Sequence, residues 1–142
     1  LGIGLYGIGD KKLKNCSSLK SVISQIKEVP AGKSIGYNRA YISTKKMRIA
    51  IIPVGYADGL NRALSNCKGQ VIINGKRANI IGNICMDMCM VDISIIDAKE
   101  GDEVIIWDTQ KHILDIAYSL NTIVYEVLTN VSQRVKRGFI QE

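Results

Sequence analysis

Aromatic side chains make up only 6% of this 142-residue chain, too few to interleave with its basic residues as a platform for stacking nucleic-acid bases. No apolar run approaches the ~20 residues that a membrane-spanning helix needs. The opening Leu1-Gly-Ile-Gly-Leu-Tyr6 has neither a basic leader nor a small-residue cleavage site. The chain is therefore expected to be soluble and cytoplasmic, with no membrane partner. Its four cysteines, Cys16, Cys67, Cys85 and Cys89, form no C-x-x-C pair and no Cys/His cluster at zinc spacing, so no metal site is expected. Cys85 and Cys89 lie among Ile84, Met86, Met88 and Met90, and the cysteines read as packed, reduced thiols. Internal repeats and low-complexity stretches are missing too.

What is present is a mixture that one globular domain can use. Apolar residues are 46% and charged residues 23% of the chain, enough for a core at this length and too mixed for a disordered tail. The net charge of +6, from 19 Lys and Arg against 13 Asp and Glu, would suit an acidic partner or a phosphate. The basic residues are scattered, however, over Lys11, Lys12 and Lys14, then Lys45, Lys46 and Arg48, then Arg134, Lys136 and Arg137. A nucleic-acid partner is not expected. The first residue is leucine and the chain opens in mid-pattern, so it reads as a piece of something longer.

Residues 1 to 10 read as a short apolar strand ending in Gly7 and Gly9, followed by a polar connection from Asp10 to Ser18. Leu19 to Val29 fits either a helical face or a twisted strand, and its β-branched content with the Pro30-Ala-Gly32 stop favours strand. Further strands are expected at Arg48 to Val54, at Gln70 to Ile73 and Arg77 to Ile84 around an Asn74-Gly75 hairpin turn, at Cys89 to Ile93, and at Glu103 to Trp107. Tyr56 to Ser65 reads as a loop with a short helix. His112 to Leu120 is the clearest amphipathic helix, a second covers Ile123 to Leu128, and the end is an extended basic segment. Short strands at spacings of about 8–12 residues indicate a mainly β fold, an antiparallel barrel or sandwich with one or two short helices. From the residues alone, a noncatalytic β-barrel interaction module or a nucleic-acid-binding module stays open.

Three segments add chemistry. Ser34-Ile-Gly-Tyr37 and Pro53-Val-Gly-Tyr-Ala-Asp-Gly59 each carry a tyrosine directly after a glycine, and Ile84-Cys-Met-Asp87 sets a Met-Asp pair in an apolar run. With Leu1-Gly-Ile-Gly-Leu-Tyr-Gly7 before them and Thr122-Ile-Val-Tyr-Glu-Val-Leu-Thr-Asn-Val-Ser132 after, they resemble, in order, the carboxy-terminal domain of alanine racemase. That family interconverts L- and D-alanine on pyridoxal 5′-phosphate and supplies D-alanine for bacterial cell-wall peptidoglycan. The resemblance implies a β-barrel-like domain over residues 11–142, with residues 1–10 closing the amino-terminal barrel domain and starting the linker. It also implies a homodimer in which the catalytic tyrosine reaches the partner subunit's cofactor.

Residue by residue, the resemblance makes Tyr37 one of two catalytic bases on opposite faces of the substrate–cofactor aldimine. Tyrosine, with a pKa of ~10, needs nearby donors or positive charge for that work. The backbone N–H of Met86 would contact the substrate carboxylate, Tyr56 would line a narrow substrate entrance with Arg62 slightly further out, and Asp87 would hold the Met86 loop. Gly2 and Ile3 match positions whose backbone amides hold the cofactor phosphate. Gln133 stands where many relatives have a phosphate-holding tyrosine, and Asn83 where an entrance arginine is common. The resemblance puts the cofactor-bearing lysine, and the arginine facing the pyridine nitrogen, before Leu1. This piece alone is therefore expected to be inert.

Overall fold

The computed structural model describes residues 2–140, and its strands are placed by which faces their residues can bury. Nine strands form among the described residues: β1 (Leu19–Val22), β2 (Gln25–Val29), β3 (Ser34–Ile35), β4 (Tyr41–Ile42), β5 (Met47–Ile52), β6 (Gln70–Ile73), β7 (Lys76–Ile81), β8 (Cys89–Asp92) and β9 (Glu103–Trp107). Seven of them make one antiparallel sheet in the order β1-β9-β6-β7-β8-β5-β2, and β3 and β4 make a separate ribbon. Strands β1 and β2, at opposite edges, are joined only by Ile23 and Ser24. At this link the Ile23 N–H donates to the Asp102 carbonyl (2.9 Å) and the Ser24 N–H to the Ile51 carbonyl (2.9 Å). The sheet must therefore curl until its edges meet, giving a half-barrel.

Strand periodicity divides the buried residues between two faces. In β5, Ala50 and Ile52 enter the main core, while Met47 and Ile49 enter a smaller cluster with Ile35, Ile81 and Met90. Strands β7 and β8 divide in the same way, Ile80 and Val91 facing inward and Ile81 and Met90 outward. Because both faces are covered here, Ile49 to Ile52 and Cys89 to Val91 read as continuous apolar runs rather than alternating ones. What covers the outer face is the β3–β4 ribbon, anchored through Ile35. Burying a side chain of that size contributes about 1.5–3 kcal/mol. The Ser43 hydroxyl, 1% exposed, ties the ribbon's base by donating to the Pro30 carbonyl (2.6 Å) and accepting from the Lys33 N–H (3.1 Å).

Asn74 and Gly75 take positive φ (49° and 74°) at the β6–β7 turn, as a two-residue hairpin requires. Helix α1 (Gln110–Ser119) starts where the Thr109 hydroxyl accepts from the His112 N–H (3.2 Å), and it buries Ile113 and Ala117. Helix α2 (Val124–Thr129) buries Val127 against the same core. No helix among the described residues is long and apolar enough to cross a membrane.

Four local expectations are corrected. Residues 2–6 form a 3-10 helix rather than a strand: with no strand edge alongside, the Gly7 N–H bonds back to the Gly4 carbonyl (3.0 Å), and Gly7 and Gly9 at φ 72° and 110° turn the chain. The strand expected to run to Ile84 ends at Ile81, because Gly82 leaves the sheet at φ 66°. Residues 131–140, expected to be extended throughout, turn at Gln133 and Arg134, where the Val135 N–H donates to the Ser132 carbonyl (3.1 Å). Of the cysteines, Cys89 is buried and Cys85 half-buried, whereas Cys16 and Cys67 are exposed. Cys16 lies in the irregular segment before β1, and Cys67 sits in a left-handed turn (φ 66°) before β6. Burial, reinforced by the neighbouring Cys85 thiol, pushes the Cys89 thiol up to about 12.

Candidate functional site

Tyr37 lies in a tight 3-10 turn between β3 and β4, not on a strand as its sequence neighbourhood suggests. The turn is built from unusual backbone: Gly36 at φ 76° and ψ −177°, followed by Asn38 and Arg39 at φ 58° and 49°. The combination at Gly36 is essentially reserved for glycine. The phenol is left 73% exposed. Its backbone is latched to the next loop, the Asn83 carboxamide donating to the Tyr37 carbonyl (3.4 Å) and receiving a hydrogen bond from Asn66 (3.2 Å). Gly82 lies beside the Ile35 carbonyl, where a Cβ would come to 2.9 Å.

Tyr56 and Met86 are brought together by backbone pairing between two loops. The Tyr56 N–H donates to the Cys85 carbonyl and the Ala57 N–H to the Met86 carbonyl, both at 3.1 Å. Gly55 allows this approach because it has no side chain. Among the described residues the Met86 N–H has no hydrogen-bond partner, so a donor is left over at the loop tip. Both side chains are half-exposed. The expected loop with a short helix is two 3-10 turns, Tyr56–Asp58 and Arg62–Leu64. Tyr56, Gly59, Asn61, Arg62 and Asn130 line an open hollow of about 380 Å³.

Asp87 is held by Arg134. The Arg134 guanidinium forks, Nε donating to Asp58 Oδ1 (2.8 Å) and Nη2 to Asp87 Oδ1. The other Asp58 oxygen accepts from the Gly55 N–H (2.9 Å), and the Ser132 N–H donates to the Asp58 carbonyl (3.1 Å). The carboxylates of Asp87 and Asp58 together raise the Arg134 pKa further above its already high value. Neither Arg134 nor Asp58 stands out in the sequence as a site residue, though both flank positions that do. The clasp leaves Gln133, between Ser132 and Arg134, exposed beside the same loops.

Gly2 and Ile3 are not hydrogen-bonded to this cluster. They lie in the 3-10 turn at the start of the chain, where a Cβ on Gly2 would come 2.7 Å from the Tyr125 hydroxyl on α2. Of the remaining positions, Tyr56 sits against the Met86–Asp87 loop and lines the hollow with Arg62, Gln133 precedes Arg134 in the tail, and Tyr37 is tied to Asn83. Gly2, exposed at φ 42°, and Gln133, an exposed carboxamide, each present a donor of the kind that a phosphate oxygen accepts from. Among the described residues no group of three or more His, Cys, Asp or Glu side chains could hold a metal ion.

Comparison with known proteins places the fold. The family described as "Alanine racemase, C-terminal domain" matches residues 16–139. Alanine racemase from Halothermothrix orenii is 43% identical over 150 residues, covering 97% of this chain and 39% of its own length. Alanine racemase from Helicobacter pylori is 42% identical over 152 residues, covering 98% and 40%. Among solved structures, alanine racemase from Bartonella henselae with covalently bound pyridoxal phosphate superposes with a TM-score of 0.91 at 35% identity, covering 98% of this chain and 40% of that one. Alanine racemase of Clostridium difficile 630 in complex with cycloserine gives a TM-score of 0.87 at 42% identity, covering 94% and 38%. The chain thus spans about two fifths of the length of these relatives. On the family match and the shared half-barrel, the chain belongs to the alanine racemase C-terminal domain family.

Proposed function

We propose that the full-length protein containing this chain is a cytoplasmic homodimer that interconverts L- and D-alanine and so supplies D-alanine for the bacterial cell wall. Residues 11–142 form its carboxy-terminal domain, and residues 1–10 close the preceding barrel. Pyridoxal 5′-phosphate, when bound, withdraws electrons from the substrate's α-carbon and makes its proton removable. Tyr37 Oη takes or returns that proton on one face, in a site completed by the partner subunit, and the upstream lysine serves the opposite face. Donors and positive charge from the barrel must stabilise the phenolate for that step.

The Met86 N–H donates to the substrate carboxylate, which fixes the α-proton's direction relative to Tyr37. Tyr56 and Arg62 narrow the approach through the hollow. Gly2 and Ile3 amides and the Gln133 carboxamide hold the phosphate. One observation carries this reading: the exposed Tyr37 phenol stands on a strained turn tied through Asn83 to the loop whose Met86 N–H has no partner among the described residues. The experiment is conversion of L-alanine to D-alanine by the purified full-length protein with pyridoxal phosphate, with serine and lysine as parallel substrates. No conversion of alanine overturns the proposal, and faster conversion of serine or lysine overturns the substrate.

A further inference from the structure

The loops that carry Tyr56 and Met86 come from distant parts of the chain, and a third segment, the tail around Gln133, runs beside them. Backbone pairing joins the first two through Tyr56 and Cys85 and through Ala57 and Met86. The tail joins them at three points, one of them the Ser132 N–H, which donates to the Asp58 carbonyl (3.1 Å). Gly59 lies against the Asn130 carbonyl, where a Cβ would come to 2.6 Å, and Arg134 reaches both Asp58 and Asp87. The Asp58 side chain is 13% exposed, whereas those of Arg134 and Asp87 are 49% and 50% exposed. The shielded half of the clasp is therefore the one that also accepts from the Gly55 N–H.

We propose that Arg134 is a positioning residue that sets Tyr56, Met86 and Gln133 in one register by bridging Asp58 and Asp87 from the tail. The inference rests on the proposed racemase reading for what the register is used for, and on the geometry alone for its existence. A guanidinium suits the task because its fork presents separate donors in one fixed plane. Nε serves Asp58 while Nη2 serves Asp87, so the two loops cannot slide past one another without breaking a charge-assisted bond. Lysine keeps the cation but presents a single ammonium on a flexible stem, which cannot reproduce both directions. Arg134 touches neither of the groups assigned to proton transfer, so its loss loosens the grip on substrate and cofactor more than it slows the proton transfer itself.

The test uses the full-length protein carrying Arg134→Gln or Arg134→Lys, with amide hydrogen exchange and steady-state kinetics measured together. Exchange at Gly55, Tyr56, Ala57 and Ser132 is expected to accelerate in both variants while the sheet amides keep their protection. KM for alanine and the dissociation constant for pyridoxal phosphate are expected to rise roughly tenfold, with kcat within about threefold, since small misplacements of binding groups weaken binding by such factors. Unchanged exchange at those four amides overturns the clasp. Accelerated exchange with unchanged KM and cofactor retention overturns the positioning role, as does Arg134→Lys matching wild type throughout. If Arg134→Gln unfolds, Asp87→Asn, which weakens only the exposed half of the clasp, must raise KM in the same direction or the proposal fails. A wild-type protein that racemises no alanine counts against the racemase reading, and the exchange result still decides whether the clasp exists.

Discussion

Gly55 and Cys85 approach so closely that a Cβ on Gly55 would lie 2.2 Å from the Cys85 carbonyl oxygen. The obstacle is backbone on both sides, so neither loop can yield by turning a side chain. Gly55→Ala is expected to lower stability by about 1–3 kcal/mol, the usual range for overpacking. On the proposed racemase reading it should also raise KM for alanine in the full-length protein, because Tyr56 and Met86 separate. Thermal unfolding and racemisation rates check both parts; wild-type values for each would mean that the loops can part freely.

Tyr37→Phe keeps the ring and removes the ionisable oxygen. In the full-length protein the rate is expected to fall ~10²–10⁴-fold, the usual contribution of a positioned acid or base. Incorporation of solvent deuterium into L-alanine should fall with it. Near-wild-type turnover in both directions would remove Tyr37 from the mechanism.

Gln133→Tyr probes the tail. If residue 133 faces the phosphate, the dissociation constant for pyridoxal phosphate should change more than kcat does. Equal retention and equal activity would assign the phosphate to other donors.

Asp102 supplies a pH signature. The Lys99 backbone N–H and the Asn74 side chain, each at 3.0 Å, stabilise its carboxylate and hold its pKa below the ordinary value. A depressed folded-state pKa adds stability above the unfolded value of ~3.9, and that stability is lost as pH falls through the folded value. Asp102→Asn is accordingly expected to melt below wild type near neutral pH, with the gap closing as pH falls below the unfolded value and through the lower folded one. A gap that stays constant with pH would mean that the charge contributes nothing.

Thiol labelling separates the cysteines by environment. Cys16 and Cys67 are exposed and should react first with an alkylating reagent, whereas Cys89 is buried with its thiol pushed up to about 12. Labelling at Cys89 without denaturant would contradict its place in the core.

The elements legible in the sequence are those whose signal is local. The Asn74-Gly75 turn, the β-branched runs of β6 and β9, and the apolar face around Ile113 and Ala117 each appear where their own residues predict them. The division of Leu19 to Val29 into two strands was not legible, because the break at Ile23 and Ser24 answers to Asp102 and Ile51, far along the chain. The Tyr37 turn looks extended for a similar reason: its left-handed residues are held by Asn83 and by ribbon packing on Met47, Ile49 and Met90. Candidate residues were named through family likeness, which recognises segments in order. The Arg134 bridge escaped it, since its partners lie 76 and 47 positions away and only the fold brings them within reach.

The pairing of β1 with β9 also sets the order in which the domain can be completed during synthesis. Leu19 must wait for Trp107, its partner in the sheet, and so β1 leaves the ribosome long before β9 exists to receive it. Pairing of this range is slow, because the loop between the partners must be closed before the contact repays it. Until then the edge of β1 that β9 will pair is an open strand template, available to chaperones or to other nascent chains. Late-arriving residues, those of β9 and its flanking turn, therefore govern when the nascent domain becomes safe from aggregation.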